Sequence, residues 1–374
     1  MLVYLCTFFI SLLFLYLGIR DKSCKNNKLF IILALMFPCF LAAFRDISIG
    51  SDTKGYVYNL FIFAKDSNGL GNFFKTAYAW YLQKDYLYLT NTFLIAKLGL
   101  SLKVLFFTNE FLVIVPIYFA FRRLKFNRNS VLIAMFTFFF VFYNVTYNMV
   151  RQSIAIAFAV LAFSIYSTSR NKKEKILSYL VLLIAIGFHT TSILTILLFW
   201  LYKFYNSKKI SENIKFGLFY CGIFISILIV ILYEPFLKFL ANTGIYSLAD
   251  LYMERYSTKD FSFYQLTINL LMLFMIILNK DHIVKKRCNY YFLLLISIIN
   301  LIISSGLGYF IMYSQRVVYY IQYILLLCYI PNIKIDNKNQ KNTYLIYLFL
   351  LMILWFLYFV IKDVHETVPY IANF

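Results

Sequence analysis

Long apolar runs alternate with short polar stretches along almost the whole chain. Inside lipid only a helix satisfies every backbone N–H and C=O within its own segment, and about 20 apolar residues cross a ~30 Å hydrocarbon core. The pattern therefore predicts an all-α polytopic membrane protein. Its expected helices cover residues 2–18, 29–44, 104–121, 131–143, 153–167, 216–233, 264–279, 289–305, 317–330 and 344–361, with two shorter ones inside 176–205. That makes about twelve transmembrane helices in one integral-membrane domain, residues 1–374. The run 86–98 is short for a crossing and reads as a half-helix or interfacial helix. Two longer polar segments, 45–85 and 234–263, read as re-entrant or interfacial; the first contains amphipathic pieces at 56–64 and 72–82.

The charges between the runs set the orientation. Short clusters of Lys and Arg mark the cytoplasmic face. They occur at Arg20 to Lys28, Arg122 to Arg128, Arg170 to Lys175, Lys203 to Lys215, Lys280 to Arg287 and Lys334 to Lys341, whereas most of the acids fall on the opposite face. Residues 144–152, Asn-Val-Thr-Tyr-Asn-Met-Val-Arg-Gln, interrupt two apolar runs whose far ends both carry such clusters. Arg151 is therefore expected at the outer mouth of a helical hairpin. Like charges at both ends of 176–205 require a second hairpin, turning near Gly187 to Thr191, which puts His189 level with Arg151. Residues 2–18 resemble a leader, but no basic region precedes them and no small-residue cleavage site follows, so they read as a retained span. By the same alternation, 305–308 is an outer Gly-rich turn and His365 to Phe374 an outer tail.

Composition narrows the classes. The chain is 62% hydrophobic, 21% aromatic and 14% charged, against about 25% charge in soluble domains. A net charge of +20 invites a nucleic-acid reading. The cations lie in short inter-helix clusters, however, with no soluble domain to present a basic face, so they are orientation charge beside lipid headgroups. The six cysteines form no CxxC or Cys/His pair, and no metal, disulfide framework or cofactor is expected.

Four stretches bring ionisable groups to the outer face: Arg45, Asp46, Asp52 and Asp85, then Arg151, then His189, then Arg316. A guanidinium grips phosphate through two parallel hydrogen bonds, so arginines among carboxylates suit a polyanionic headgroup. Asp52, Asp46 or His189 can take a proton from an attacking hydroxyl. Each has a plainer reading. Arg45-Asp46 also reads as an interface anchor, Asp52 as a turn residue, His189 as a helix-end histidine and Arg316 as a snorkelling cation.

The order of motifs resembles a known family. Arg45-Asp46, Gly50-x-Asp52 and Tyr56, then Asn148-x-x-Arg151-Gln152 with Ala155, then Phe188-His189-x-x-Ser192, then Gln315-Arg316 and Val368-Pro369-Tyr370 are similar to the EpsG family of Wzy-like polysaccharide polymerases. The chain departs from that family at Asp85-Tyr86, where Glu-Pro is frequent. The resemblance implies a GT-C-like membrane glycosyltransferase in the bacterial inner membrane. Such an enzyme joins undecaprenyl-pyrophosphate-linked oligosaccharides into an exopolysaccharide, capsule or O-antigen chain at the outer face, alongside a flippase and a chain-length regulator. On that reading Arg45, Arg151, Gln152, Arg316, Tyr56 and Asp85 bind substrate, and Asp52, Asp46 and His189 are the catalytic candidates. Two rivals stay open. A flippase for the same lipids is favoured by Asn109 and Glu110 within a span; a membrane O-acyltransferase would place a histidine in the membrane near an Asn or a second His, a pattern His189 alone fits poorly.

Overall fold

The computed structural model describes residues 1–19, 27–82, 84–243, 262–280, 290–310, 315–332 and 338–373. Among these the regular structure is helical, and the β feature is a single antiparallel bridge between Arg45 and Ala372. Six helices are long and apolar enough to cross a membrane: Leu102–Arg123, Arg128–Thr146, Val150–Thr168, Glu212–Phe239, Tyr290–Leu307 and Lys341–Ile361. Shorter apolar helices include Leu2–Gly18, Asn27–Ala43 and Phe263–Leu278. The chain is an all-α polytopic membrane protein. It divides into two compact units, Met1–Thr195 with Ile335–Phe374, and Ile196–Lys334.

In the first unit the expected hairpin is present. Arg123 Nε donates to Thr168 Oγ1 at 2.9 Å, and its Nη2 pairs with Glu174 at 2.8 Å. The far end of Val150–Thr168 therefore returns to the Arg122–Arg128 end, and Arg151 sits at the other. The two arms diverge: Arg128–Thr137 packs on Leu2–Gly18 and on Lys338–Trp355, whereas Val150–Thr168 packs between Leu102–Arg123 and Lys172–Phe188. Tyr4, Phe8, Phe140, Tyr143 and Trp355 interlock as tilted and edge-on rings at the centre. Pro38, inside Asn27–Ala43, has no N–H for the carbonyl one turn back. Ser11 of the neighbouring helix makes good the loss, donating to Ala34 O at 2.6 Å. The short run at 86–98 forms a 12-residue helix, Tyr86–Lys97, packed against Tyr58–Asp66 and Lys172–Phe188.

Two boundaries in the second unit differ from expectation. Helix Glu212–Asn242 runs on through Glu234 and Pro235, where the outer segment was expected to begin, because the apolar run continues and Lys238 pairs with Glu234 at 2.7 Å one turn away. The Gly-rich stretch is helix, not turn. Tyr290–Phe310 passes through Gly306, where a Cβ would fall 2.5 Å from Val230 Cγ1. Glycine here lets two helices approach closely, as small residues do within membranes. Gln265, Asn269, Asn300, Ser304 and Gln322 form a buried ladder of hydrogen bonds between the helices of this unit. Residues 244–261 of the expected outer segment, and the cations Arg20, Lys22, Lys25, Lys285, Lys286, Arg287 and Lys334, lie outside the described residues.

Candidate functional site

The Arg128–Thr146 helix stops at a three-residue turn, and a new helix starts at Val150. The first N–H groups of a helix have no intrahelical acceptor, and its N-terminus carries a partial positive charge. Asp52, from the first loop, meets that charge: its Oδ2 accepts from Val150 N at 3.2 Å. The same oxygen accepts from the Tyr56 phenol at 2.7 Å. Burial, and then the adjoining Asp52 carboxylate, hold that phenol well above its ordinary pKa, so it stays protonated and keeps donating.

Arg151 completes the cluster. Its guanidinium lies 4.9 Å from the centre of the Tyr56 ring, and Nε donates to the Tyr56 oxygen at 3.3 Å. Its Nη1 is ion-paired with Asp85 Oδ2. The Arg151 side chain keeps 21% exposure, against 7% for Asp85. Three separate stretches of sequence thus deliver Asp52 and Tyr56, Asp85, and Arg151 to one point. One guanidinium faces two carboxylates there.

The loop bearing Asp52 is fixed from two sides. Gly50 N donates to Glu366 O at 3.1 Å, and Ser51 N to Asn148 Oδ1 at 2.5 Å. Asn148 Nδ2 in turn donates to His365 O at 2.9 Å. The C-terminal tail then runs beside the loop: Asp46 N donates to Ile371 O at 2.9 Å and Asn373 N to Phe44 O at 2.8 Å. Thr367 is fully buried, taking Tyr4 OH on its carbonyl at 2.7 Å and Asn144 Nδ2 on its hydroxyl at 2.9 Å. Sequence reasoning missed this strap beyond Val368-Pro369-Tyr370. Its one signal was polar density directly after the last apolar run.

Arg45 occupies a different place. It is 3% exposed, with its guanidinium 4.1 Å from the Phe106 ring centre and 4.2 Å from that of Tyr147. Nη2 donates to Thr53 Oγ1 at 3.3 Å and Nη1 to Ala42 O at 3.2 Å. Across a void of about 10 Å³ lie Asn109 and Glu110. Glu110 Oε2 accepts from Thr146 at 2.9 Å. Arg45 Nε, Glu110 Oε1 and both amide atoms of Asn109 are buried without a protein partner. A void of this size, lined by polar atoms, suits one water.

The other expected residues are placed as follows. Asp46 accepts from Ser48 N at 2.8 Å, a bond that holds its carboxyl below the usual pKa, and it closes the turn before Gly50. His189 caps the Lys172–Phe188 helix, its Nδ1 facing Thr191 Oγ1 at 2.8 Å, at the Arg151 end of the hairpin. Gln152 is buried in the first turn after Val150. Arg316, half-buried on Gln315–Tyr323, belongs to the second unit.

Membrane-length helices with an arginine–carboxylate cluster where one of them begins define a multi-pass membrane protein whose polar site is built at a helix end. The EpsG family model matches residues 28–372, and the chain belongs to that family. The family is associated with polysaccharide polymerisation. No curated protein and no solved structure matches.

Proposed function

We propose that this chain is a Wzy-type polymerase. It has about twelve spans and a GT-C-like plan, and it joins oligosaccharide units carried on undecaprenyl pyrophosphate at the outer face of the inner membrane. The observation that carries this reading is the assembly of Asp52, Tyr56, Asp85 and Arg151 where helix Val150–Thr168 begins. Two carboxylates against one guanidinium leave the resting cluster negative, so a diphosphate must displace one of them. Asp85 is the exchangeable partner: the lipid diphosphate takes the Arg151 fork and Asp85 turns away. Arg151 then meets the charge that develops as the bond between the sugar's anomeric carbon and the phosphate oxygen breaks. The incoming sugar hydroxyl forms the new glycosidic bond, its proton passes to Asp52 or His189, and the lipid diphosphate departs. Pyrophosphate leaves readily, so no general acid is required.

The test is made in cells that depend on a plasmid copy of the protein. Arg151→Ala should abolish polymer at normal protein level and leave single-repeat lipid intermediates at the outer face. Arg151→Lys, which keeps charge but loses the fork, should retain only a small part of the yield. Wild-type chain length in Arg151→Ala discards the site, and intermediates held at the inner face favour the flippase. A cysteine at Gly55, exposed on the helix that follows Asp52, in a background lacking the chain's own cysteines, should react from outside. Reaction only from the cytosol overturns the topology.

A further inference from the structure

A second cavity lies in the first unit, at the end opposite Arg151. It has a volume of about 340 Å³, and Lys28, Arg122 and Arg128 line it together with Ile31, Phe126 and Val131. The volume falls at the lower end of the range for ligand pockets, ~300–1,000 Å³.

The charge arrangement calls for an anion. Arg123, next in the chain to Arg122, has its carboxylate in Glu174 at 2.8 Å. Among the described residues, no carboxylate lies within 4.0 Å of Lys28, Arg122 or Arg128. Two of the three cations also stand where a helix disfavours them. Lys28 is in the first turn of Asn27–Ala43, and Arg128 begins the helix capped by Asn127, whose side chain accepts from Ser130 N at 2.8 Å. Helix N-termini attract anions and repel cations. Three cations, Arg122 hydrogen-bonded to Tyr118 and Arg128 stacked 4.6 Å from the Tyr16 ring centre, and the first turns of two helices therefore line one concave space without a carboxylate, with aliphatic and aromatic wall beside them. That combination fits an amphiphile whose head is a phosphate ester.

We infer that this cavity binds the phosphate headgroup of an anionic bilayer phospholipid, with Lys28, Arg122 and Arg128 on the phosphate and Ile31, Phe126 and Val131 along the first acyl carbons. The site is independent of the polymerase reading, since it uses none of the residues near Arg151.

The experiment uses the full-length protein in neutral detergent, titrated with dioleoyl-phosphatidylglycerol, with dioleoyl-phosphatidylcholine or with sodium phosphate. Binding is followed by native mass spectrometry and by the shift in Tm. Phosphatidylglycerol should raise Tm and bind at low stoichiometry, while phosphatidylcholine does neither. Arg122→Gln with Arg128→Gln should weaken phosphatidylglycerol binding roughly thirtyfold, since each basic residue near an anionic headgroup contributes about 1 kcal/mol. Lys172→Gln with Lys173→Gln, exposed cations near the same end, should change it less than about twofold, as expected for screened surface charge. Ile31→Trp fills the cavity without touching charge and should also remove binding. It serves where the arginine pair fails to fold. Equal weakening by both charge pairs, or full binding by Ile31→Trp, overturns the pocket. Equal stabilisation by sodium phosphate alone identifies a soluble phosphate and overturns the lipid.

Discussion

Gly50→Ala is the sharpest probe of how the candidate site is held together. Gly50 has φ +87°, and a Cβ there would lie 2.8 Å from Tyr147 O, 3.0 Å from Tyr147 Cβ and 3.1 Å from Asn148 Oδ1. The left-handed backbone alone costs an alanine about 1–2 kcal/mol. The nearest atom is a carbonyl oxygen, which no rotamer change can move aside, so the loop must retreat. Retreat stretches the Ser51 N to Asn148 Oδ1 bond and the Gly50 N to Glu366 O bond. Losing either adds about 0.5–1.5 kcal/mol, for a total of about 1.5–3.5 kcal/mol. The same movement draws Asp52 away from Val150 N and Arg151. Gly55→Ala is the control: nothing lies within 4 Å of a Cβ there, and alanine should be neutral. Polymer yield at matched folded protein, with Tm of the detergent-purified chain, is the assay. Gly50→Ala should melt several degrees lower and lose polymer, while Gly55→Ala does neither. Wild-type polymer from Gly50→Ala, or equal damage from Gly55→Ala, refutes the reasoning.

Three further substitutions separate contacts that look alike. Tyr56→Phe removes the phenol shared by Asp52 and Arg151; hydrogen bonds to charged groups contribute about 1.5–3 kcal/mol, so polymer yield should drop about tenfold or more at unchanged protein level. In the tail, Thr367→Val leaves Asn144 Nδ2 without its buried acceptor and should lower stability by about 1–3 kcal/mol, whereas Glu366→Ala breaks an exposed pair with Lys54 and should stay within about 1 kcal/mol, both read from Tm. Glu110→Gln keeps an acceptor for Thr146 and should keep polymer within about twofold of wild type, whereas Glu110→Leu removes that acceptor and costs about 1–3 kcal/mol of stability. Complete loss of polymer in a well-folded Glu110→Gln protein would instead favour proton-coupled transport.

Much of the helical plan was legible because apolar length and cationic clusters are one-dimensional signals. The hairpin around residues 144–152 is present, with Arg123, Thr168 and Glu174 joined at its far end. The two misplaced boundaries have a common cause. The stretch from Glu234 read as a polar outer segment and Gly306 as part of a turn, yet within packed membrane helices a proline such as Pro235 forfeits one backbone bond and a glycine provides close approach to Val230. At the site, the types were legible but the depths were not. Arg45 and Arg151 both stand in polar stretches at the edge of an apolar run. One is enclosed between Phe106 and Tyr147 and the other stands beside Tyr56 with part of its surface open, a difference fixed by tertiary neighbours.

The tail explains why that difference is stable. A three-residue turn in an apolar surround must find partners for its amides and carbonyls, and a side chain such as Asn148 supplies only some of them. Here residues 365–373 bring backbone carbonyls to Asn148, Gly50 and Asp46 and receive Tyr4 and Asn144 in return. These partners lie 217 to 363 residues apart in sequence, so the loop carrying Asp52 is pinned by the C-terminal tail, which Tyr4 near the N-terminus holds in turn. Asp52 is held by a helix terminus and a phenol that stays protonated, so its position is overdetermined. Arg151 has one carboxylate partner among its described contacts, Asp85, on a different loop. The proposed displacement of Asp85 by a diphosphate rests on this division: Asp52 fixed by a backbone N–H, and a guanidinium whose counter-ion can be exchanged.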